Sequence, residues 1–241
     1  MTITRQFDLL EATWPAASLR REGPWLIREG KGGGQRVSAA SLAAGFAAIA
    51  ITQTDITRAE GAMAALGQPP LFMVRSEDTA LDVALDARGY RIHDPVVLYS
   101  APCETLATPA PPRMAAFPHW PPMAIAADLW AEAGIGPDRL AVMNRVKGAK
   151  TAILGRQKDR ASGVAFVACD HDAAMLHALE VTPNQRRQGS ANNIMRSAAV
   201  WALEHGAKTL TLAVTEANAP ARALYASLEM QIVGKYHYRK K

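Results

Sequence analysis

The sequence is short of cysteine and has no long apolar run. Its 241 residues include two cysteines, Cys103 and Cys169, which are too few for a disulfide framework, so a reducing cytoplasm is the expected location. Residues 1–15 lack a basic start followed by an apolar core, and no secretory signal is predicted. The longest apolar-rich stretch, residues 39–51, is interrupted by serine and glycine and is too short to span a bilayer. We therefore expect no membrane association.

Charge of one sign is not concentrated either. The net charge is +5, and 49% of the residues are hydrophobic and 20% charged, which is typical of an ordinary globular protein. Basic residues are scattered except for a small cluster at Lys235, Arg239, Lys240 and Lys241. We interpret this cluster as a solvated tail and expect no nucleic-acid partner.

The most informative segment is VTPNQRRQGSA, residues 181–191. Residues 174–181, which lead into this segment, are predicted to form a strand. Residues 190–205 carry apolar side chains at the spacing of one buried helical face. The segment is therefore predicted to be a turn at a helix N-terminus, where backbone N–H groups lack intrahelical partners and the dipole favours anions. Gly189 permits close approach to the backbone. We predict a diphosphate site here, with a glycine used only for packing as the alternative.

Two ordered motifs resemble the GNAT superfamily of acyl-CoA N-acyltransferases. The first is a strand ending in valine followed by R/QxxGxG/A, and its fixed positions are filled by Arg186, Gly189 and Ala191. The second motif, NxxAxxLYxxxGF, falls at the expected distance and is matched by Asn218, Ala221, Leu224 and Tyr225. The resemblance covers about residues 174–239.

The end of the second motif departs from the family pattern. Glu229 and Met230 stand where the family has Gly and Phe. Family helices commonly end at that glycine, so the departure puts the local backbone geometry in question rather than the fold.

The resemblance implies a mixed α/β fold of the GNAT type (α+β, mixed sheet) and acetyl-CoA as cosubstrate. In the family, strand backbone pairs with the pantetheine arm, and the tyrosine of the LY pair commonly protonates the CoA sulfur. The implied cofactor-binding residues are Leu179, Val181, Arg186, Arg187, Gln188, Gly189, Ser190, Ala191, Asn192, Asn218 and Tyr225. Tyr225 is also the implied general acid, with ring packing as the alternative role.

The general base is less well defined. Strict alternation along residues 175–181 places His177 on one face of the strand and Glu180 on the other. Imidazole is suited to proton shuttling, so His177 is the first candidate, with a hydrogen-bonded structural role as the alternative; Glu180 and Glu216 are weaker candidates. His171 and His177 have no matching cysteine or carboxylate pattern, and no metal site is predicted.

A proline-rich segment, residues 101–122, holds seven of the fifteen prolines and predicts a domain boundary. We divide the chain into residues 1–105 and residues 106–241, the latter being the catalytic domain. Before the glycine turn, the C-terminal part is predicted to contain strand 114–117, helices 123–133 and 137–146, and strands 151–156 and 163–169. The paired helices suggest Trp130, Arg139 and Met143 for the acceptor cleft, with core packing as the alternative.

The N-terminal part follows a similar plan. Its predicted elements are strands 25–28 and 35–40 around a GKGGG turn, helix 54–67, strand 71–75, helix 78–88 and strand 90–100. A shift of 140 residues lays Leu85 on Tyr225, but no glycine turn with a flanking arginine is present. We interpret this part as a degenerate GNAT-like domain without a CoA site, and an unrelated domain is the alternative.

The predicted activity is N-acetyl transfer from acetyl-CoA to a primary amine by direct attack. A non-catalytic protein that binds or senses acyl-CoA is the alternative, and an unrelated nucleotide enzyme is a more distant one. The acceptor class stays open between a small-molecule amine and a protein or peptide amine, and acyl-chain length is not encoded in any motif. A homodimer is compatible with the sequence.

Overall fold

The structure, a computed structural model, describes residues 2–46 and 51–241. Residues 47–50, which belong to the apolar-rich stretch 39–51, lie outside the described residues. Within the described ranges, no helix has both the length and the apolar character needed to cross a membrane. In chain order the elements are α1 (Ile3–Thr13), β1 (Ser18–Glu22), β2 (Trp25–Glu29), β3 (Ser41–Leu42), α2 (Gln53–Ala64), β4 (Leu71–Arg75), α3 (Thr79–Ala87), β5 (Arg91–Pro102), α4 (Cys103–Leu106), β6 (Ala116–His119), α5 (Ala124–Glu132), α6 (Pro137–Arg145), β7 (Lys150–Gln157), β8 (Arg160–Asp170), β9 (Ala173–Val181), α7 (Ser190–Glu204), β10 (Thr209–Thr215), α8 (Ala219–Ser227) and β11 (Gln231–Lys240).

The chain forms two compact units, each built from several segments. The first unit contains residues 1–15, 98–214 and 219–233, and the second unit contains residues 16–97, 215–218 and 234–241. This division differs from the boundary predicted at 105/106. The first unit takes α1 and the end of β5 from the N-terminal half of the sequence, and the second unit takes the end of β11 from the C-terminal half. A run of prolines indicates a linker but does not indicate which strand a terminal strand pairs with. The proline-rich segment therefore could not predict that each unit takes segments from both halves of the sequence.

The first unit is a mixed sheet with helices on both faces. Its strand order is β5-β10-β9-β8-β7-β6, with β9 and β10 parallel and β6 to β9 antiparallel. Gly155 and Gly163 face α7, because a Cβ on either would meet Ile194 of that helix. Since side chains alternate along a strand, Val164 and Phe166 point to the opposite face, where α1 and α5 contact β8 and β9.

The second unit has its own apolar core. β1, β2 and β3 form an antiparallel sheet, and β4, β11 and β5 lie side by side, with residues 71–75 antiparallel to residues 236–240. Trp25, Phe72 and Tyr90 form the aromatic centre, with ring centroids 5.3 and 5.2 Å apart. All three are fully buried, and this core lets the unit bury apolar side chains without help from a ligand.

One helix and the start of the strand after it recur at the predicted offset. Both ends of α3 and α8 are separated by 140 residues, and β5 and β11 start at residues 91 and 231. Gly89 and Glu229 end the two helices with φ angles of 87° and 57°. The Tyr90 amide donates to Leu85 O at 3.0 Å, and the Met230 amide donates to Tyr225 O at 3.1 Å. α8 therefore ends at Glu229 with the same geometry as α3 at Gly89, although Glu229 replaces the glycine of the family motif. The residue is in a left-handed conformation that glycine adopts without strain.

Two local predictions are wrong. Residues 35–37 form a short 3-10 helix rather than the second strand of a glycine hairpin, and β2 pairs with β1 and β3 instead. Gly34, at φ 98°, leads into this helix. The basic C-terminal cluster is not a solvated tail either, because it forms the end of β11: Arg239 is 5% exposed and donates to Asp82 and Asp86 at 2.7 Å. These two carboxylates lie on α3, far from Arg239 in the sequence, and they neutralise its charge.

Candidate functional site

The glycine turn has the geometry of an anion site. Gly189 is the N-cap of α7 with φ 86°, and a Cβ built there would meet nothing within 4 Å. The first helical bond runs from the Asn193 amide to Gly189 O at 3.0 Å. The amides of Ser190, Ala191 and Asn192 therefore precede the hydrogen-bonded ladder at the positive end of the helix dipole. The turn thus presents backbone donors beside open space.

One side-chain group in this turn, the Ser190 hydroxyl, supports the fit to a phosphate-bearing ligand. Ser190 Oγ and Asn192 Oδ1 are buried, and neither has a hydrogen-bond partner among the described residues. Buried polar atoms are normally satisfied in folded proteins. A hydroxyl donor at the first position of a helix is suited to a phosphate oxygen. The turn and its first helical residues therefore fit the diphosphate of CoA.

The flanking polar side chains take different positions. Arg186 is exposed, and its Nε donates to Val181 O at 3.1 Å, so its guanidinium is tied to the end of β9. Arg187 is exposed and has φ 61°. Gln188 donates from Nε2 to Asn184 O at 3.0 Å. Two guanidinium groups thus lie on the turn, one of them anchored to the strand.

β9 and β10 separate next to this turn. Their parallel pairing runs from Ala173 with Thr209 to Leu176 with Leu212 and goes no further. The far side of β9 stays paired, since Glu180 lies opposite Val164 of β8. Residues 178–181, which include the predicted positions Leu179 and Val181, therefore form no strand pairing with β10.

A β-bulge lies within the separated part of β9. His177 is opposite Phe166 and Glu180 is opposite Val164, so β9 has one residue more than β8 between these pairs. Ala178 has φ 51°, the left-handed conformation of such an extra residue. Because Val164 and Phe166 share a face, the bulge brings Glu180 to the same face as His177. The predicted placement of these residues on opposite faces is wrong, since strict alternation does not hold across a bulge.

Tyr225 of α8 is 5% exposed and packs in the first unit. Its ring centroid lies 5.6 Å from that of Tyr99. Burial, and then the charge of Glu180 and the hydroxyl of Tyr99, raise the pKa of Tyr225 above its usual value. The phenol therefore stays protonated at neutral pH, which is the state that a proton donor needs.

Glu180 is half-buried at the end of β9. Burial raises its pKa, while the guanidinium groups of Arg186 and Arg139 act in the opposite direction. A cavity of about 250 Å³ adjoins this carboxyl. It is bounded by α5 and by the end of β9, through Leu129, Glu132, Ala133, Gly163, Glu180, Val181, Thr182, Pro183 and Arg186. Of the acceptor-cleft candidates on α5 and α6, Trp130 and Met143 are fully buried and Arg139 is exposed.

His177 lies deeper in the same face. It is 5% exposed, its Nε2 is 2.9 Å from Thr13 Oγ1, and its ring centroid is 4.9 Å from that of Trp14. Thr13 in turn donates to Leu9 O at 2.7 Å. These contacts favour the structural role for His177, in which the imidazole fastens α1 to the sheet.

The remaining predicted residues lie in the second unit. The Asn218 amide donates to Thr215 O at 3.0 Å, in the turn that leads into α8. Glu216 forms an ion pair with Lys235 at 3.1 Å. No group of three histidine, cysteine or acidic side chains that could hold a metal ion occurs within residues 2–46 and 51–241.

Sequence patterns missed one residue close to Tyr225. Tyr99 belongs to β5, in the half of the sequence that resembles a degenerate copy, and no motif connects it with α8. Its tyrosine identity at the end of an apolar strand was a weak signal. A pairing between β5 and β10, which is a long-range contact, was needed to bring it to the site.

Comparison with known proteins agrees with this fold. Residues 130–230 match the family model described as Acetyltransferase (GNAT) family. The chain is 24% identical over 242 residues to an uncharacterized N-acetyltransferase, YobR, of Bacillus subtilis (strain 168), covering 97% of this chain and 96% of that protein.

Solved structures show the same fold over nearly the whole chain. A GCN5-related N-acetyltransferase from Kribbella flavida has a TM-score of 0.71 at 18% identity, covering 99% of this chain and 95% of that one. A tandem GNAT protein from the clavulanic acid biosynthesis pathway has a TM-score of 0.64 at 13% identity, covering 93% and 83%. The fold is thus that of GNAT N-acetyltransferases, including a tandem member. The match of residues 130–230 to this family model supports N-acetyltransferase activity in general.

Proposed function

We propose that this protein transfers an acetyl group from acetyl-CoA to a primary amine by direct attack. The observation that carries the proposal is the open Gly189 turn at the N-terminus of α7, beside the separation of β9 from β10. The turn would hold the diphosphate through backbone amides, Ser190 and the two arginines. The Leu179 backbone and the Val181 amide, which lie beyond the pairing of β9 with β10, would bind the amide groups of the pantetheine arm, while Val181 O accepts from Arg186 Nε.

The bound acetyl-CoA supplies a thioester carbonyl. The neutral amine attacks that carbon, so a C–N bond forms and the C–S bond breaks, and the electron pair leaves on sulfur. We assign Tyr225 to protonate the departing thiolate, and the amine nitrogen loses its proton to a base. Holding both reactants beside these groups converts a bimolecular reaction into one within a complex.

We assign the base role to Glu180 rather than to His177. Glu180 adjoins the cavity and has a pKa raised by burial, which brings a carboxylate closer to the basicity that proton abstraction requires. His177 is buried against Trp14 and Thr13. The cavity, at about 250 Å³, is where we place the acceptor amine.

Direct attack is favoured over a covalent acyl-cysteine. Cys103 and Cys169 are both buried and free. Burial raises the pKa of Cys103 to about 12 and that of Cys169 to about 11. Neither thiol is therefore a good nucleophile at neutral pH. Two free thiols also support our proposal that the protein works in the reducing cytoplasm.

The proposal is tested by incubating purified protein with acetyl-CoA and a panel of amines, small peptides included, and measuring free CoA thiol. Mass spectrometry of the product then identifies the acetylated amine. We expect amine-dependent thiol release that Tyr225→Phe slows strongly. Tight acetyl-CoA binding without release on any amine would contradict the enzyme and favour the acyl-CoA-binding alternative.

A further inference from the structure

An indole on α5 holds the bulge of β9. Trp130 is fully buried, and its Nε1 donates a hydrogen bond to Ala178 O at 2.9 Å. Ala178 has φ 51°, a conformation in which a Cβ crowds the backbone and which glycine adopts freely. The hydrogen bond to Trp130 satisfies the bulge carbonyl within the protein and offsets part of this strain.

The bulge decides which face of the sheet Glu180 occupies. With the extra residue, Glu180 lies opposite Val164, on the face that α1 and α5 cover. Without it, strict alternation would turn the Glu180 side chain to the α7 face, away from the cavity beside α5. Because Ala178 is strained where such bulges commonly have glycine, the bulge depends on the hydrogen bond from Trp130.

We infer that Trp130 is a positioning residue: its indole N–H fixes the β9 bulge at Ala178 and so keeps the Glu180 carboxyl at the cavity beside α5. The role assigned to Glu180 rests on the proposed function, whereas the support of the bulge rests on geometry alone. Trp130 touches the bulge rather than the reacting groups.

The first test compares two tryptophan variants. Trp130→Phe keeps most of the ring but removes the donor. Trp25→Phe is the matched control, because Trp25 is equally buried and its Nε1 donates to Asp55 O at 2.8 Å in the second unit. Both variants lose the one hydrogen bond that a fully buried indole donates to a backbone oxygen. We expect roughly tenfold lower kcat for Trp130→Phe, with the acid limb of its pH–rate profile displaced to lower pH, and an unchanged profile for Trp25→Phe.

The second test is a rescue. Ala178→Gly removes the strain that Trp130 offsets, because glycine adopts a left-handed conformation without strain. The double variant Trp130→Phe with Ala178→Gly should therefore be more stable than Trp130→Phe alone. We expect it to recover at least roughly a third of the wild-type kcat. A double variant that is no better folded and no more active than Trp130→Phe overturns the inference. An unmoved acid limb in a folded Trp130→Phe overturns it as well.

A readout independent of catalysis separates this inference from the proposed function. The Glu180 carboxyl carbon is titrated by NMR in wild type, Trp130→Phe and Trp25→Phe. We expect the midpoint to fall in Trp130→Phe alone, because the carboxyl leaves its half-buried position. If no amine is ever acetylated but this midpoint falls, the proposed function fails and the support of the bulge stands. Coincident titrations in all three proteins contradict the inference.

Discussion

The rings of Tyr99 and Tyr225 pack against each other with their centroids 5.6 Å apart. Tyr99 comes from β5 in the N-terminal half of the sequence, and Tyr225 comes from α8 in the C-terminal half. Arg222 Nε lies 3.5 Å from the Tyr99 hydroxyl on the same side. The N-terminal half thus contributes directly to the surroundings of the proposed general acid, although it lacks a glycine turn of its own.

Removing the Tyr225 hydroxyl should slow the chemical step. Tyr225→Phe keeps the buried ring, so we expect nearly unchanged stability and CoA affinity. Loss of a general acid should lower kcat by about 10²-fold, or about 2.7 kcal/mol of barrier. Steady-state kinetics and calorimetry separate the two effects.

Tyr99→Phe is the matched control, because it removes the neighbouring hydroxyl and leaves Tyr225 in place. We expect its kcat to stay within roughly threefold of wild type. Wild-type turnover by Tyr225→Phe under conditions where chemistry limits the rate would show that Tyr225 only packs.

Replacing Glu229, which ends α8, by glycine should stabilise the protein. The φ of 57° at Glu229 is left-handed, and Gly89 occupies the equivalent position of α3. Glycine removes a strain of about 1–2 kcal/mol but adds about 0.4–1 kcal/mol of unfolded-state entropy. We therefore expect Glu229→Gly to raise the free energy of unfolding by about 0.5–1 kcal/mol, measured by urea denaturation. Gly89→Ala should lower it, and a destabilised Glu229→Gly would contradict the strain.

Acid should weaken the second unit through Glu60. Its carboxylate accepts from Arg88 at 2.5 Å, from Tyr90 and from Lys241, and these groups, Arg88 first, lower its pKa from 4.5 to about 2. A lowered folded-state pKa stabilises the protein above the unfolded value of 4.5, and the stabilisation is lost as pH falls towards 2. After solvent screening we expect about 1–2 kcal/mol.

The measurement is the difference in unfolding free energy between wild type and Glu60→Gln as a function of pH. It should be present at pH near 6 and shrink progressively below 4.5, the unfolded value. Glu204→Gln, at the exposed end of α7, controls for removal of one negative charge. A difference that stays constant down to the lowest pH would contradict the assigned cause.

The fragment 106–241 should not fold as a stable domain. It lacks α1 and the following Trp14, which with Thr13 packs on His177, and it lacks residues 98–102, which carry Tyr99. Loss of these contacts exposes a face of the sheet that the full chain buries. We expect no cooperative thermal transition for the fragment by circular dichroism. A fragment that melts cooperatively and binds CoA as tightly as the full chain would contradict the exchange of segments.

Local signals in the sequence predicted most of the elements and the turn. The residues of α7 have a clear 3.6-residue period, and Gly189 stands where a left-handed N-cap is needed. The helix and the turn could therefore both be predicted from the sequence. The 140-residue offset was also correct at α3 and α8. The errors lie where a long-range partner decides. Ala178 gives no composition signal for a bulge, because alanine rarely occupies that conformation, and the bulge reversed the expected face of Glu180. Arg239 finds its carboxylates on α3, far away in sequence.

Calorimetric titration with acetyl-CoA measures whether the Gly189 turn binds its diphosphate. Gly189→Asp adds a carboxylate at the turn, while Gly206→Asp adds one at the other end of the same helix, where φ is 83° and a Cβ also meets nothing within 4 Å. We predict one site per chain in wild type and in Gly206→Asp. Loss of charge-assisted hydrogen bonds, at about 1.5–3 kcal/mol each, should weaken binding to Gly189→Asp by at least tenfold. Equal affinity in all three folded proteins, or two sites per chain in wild type, would contradict the account.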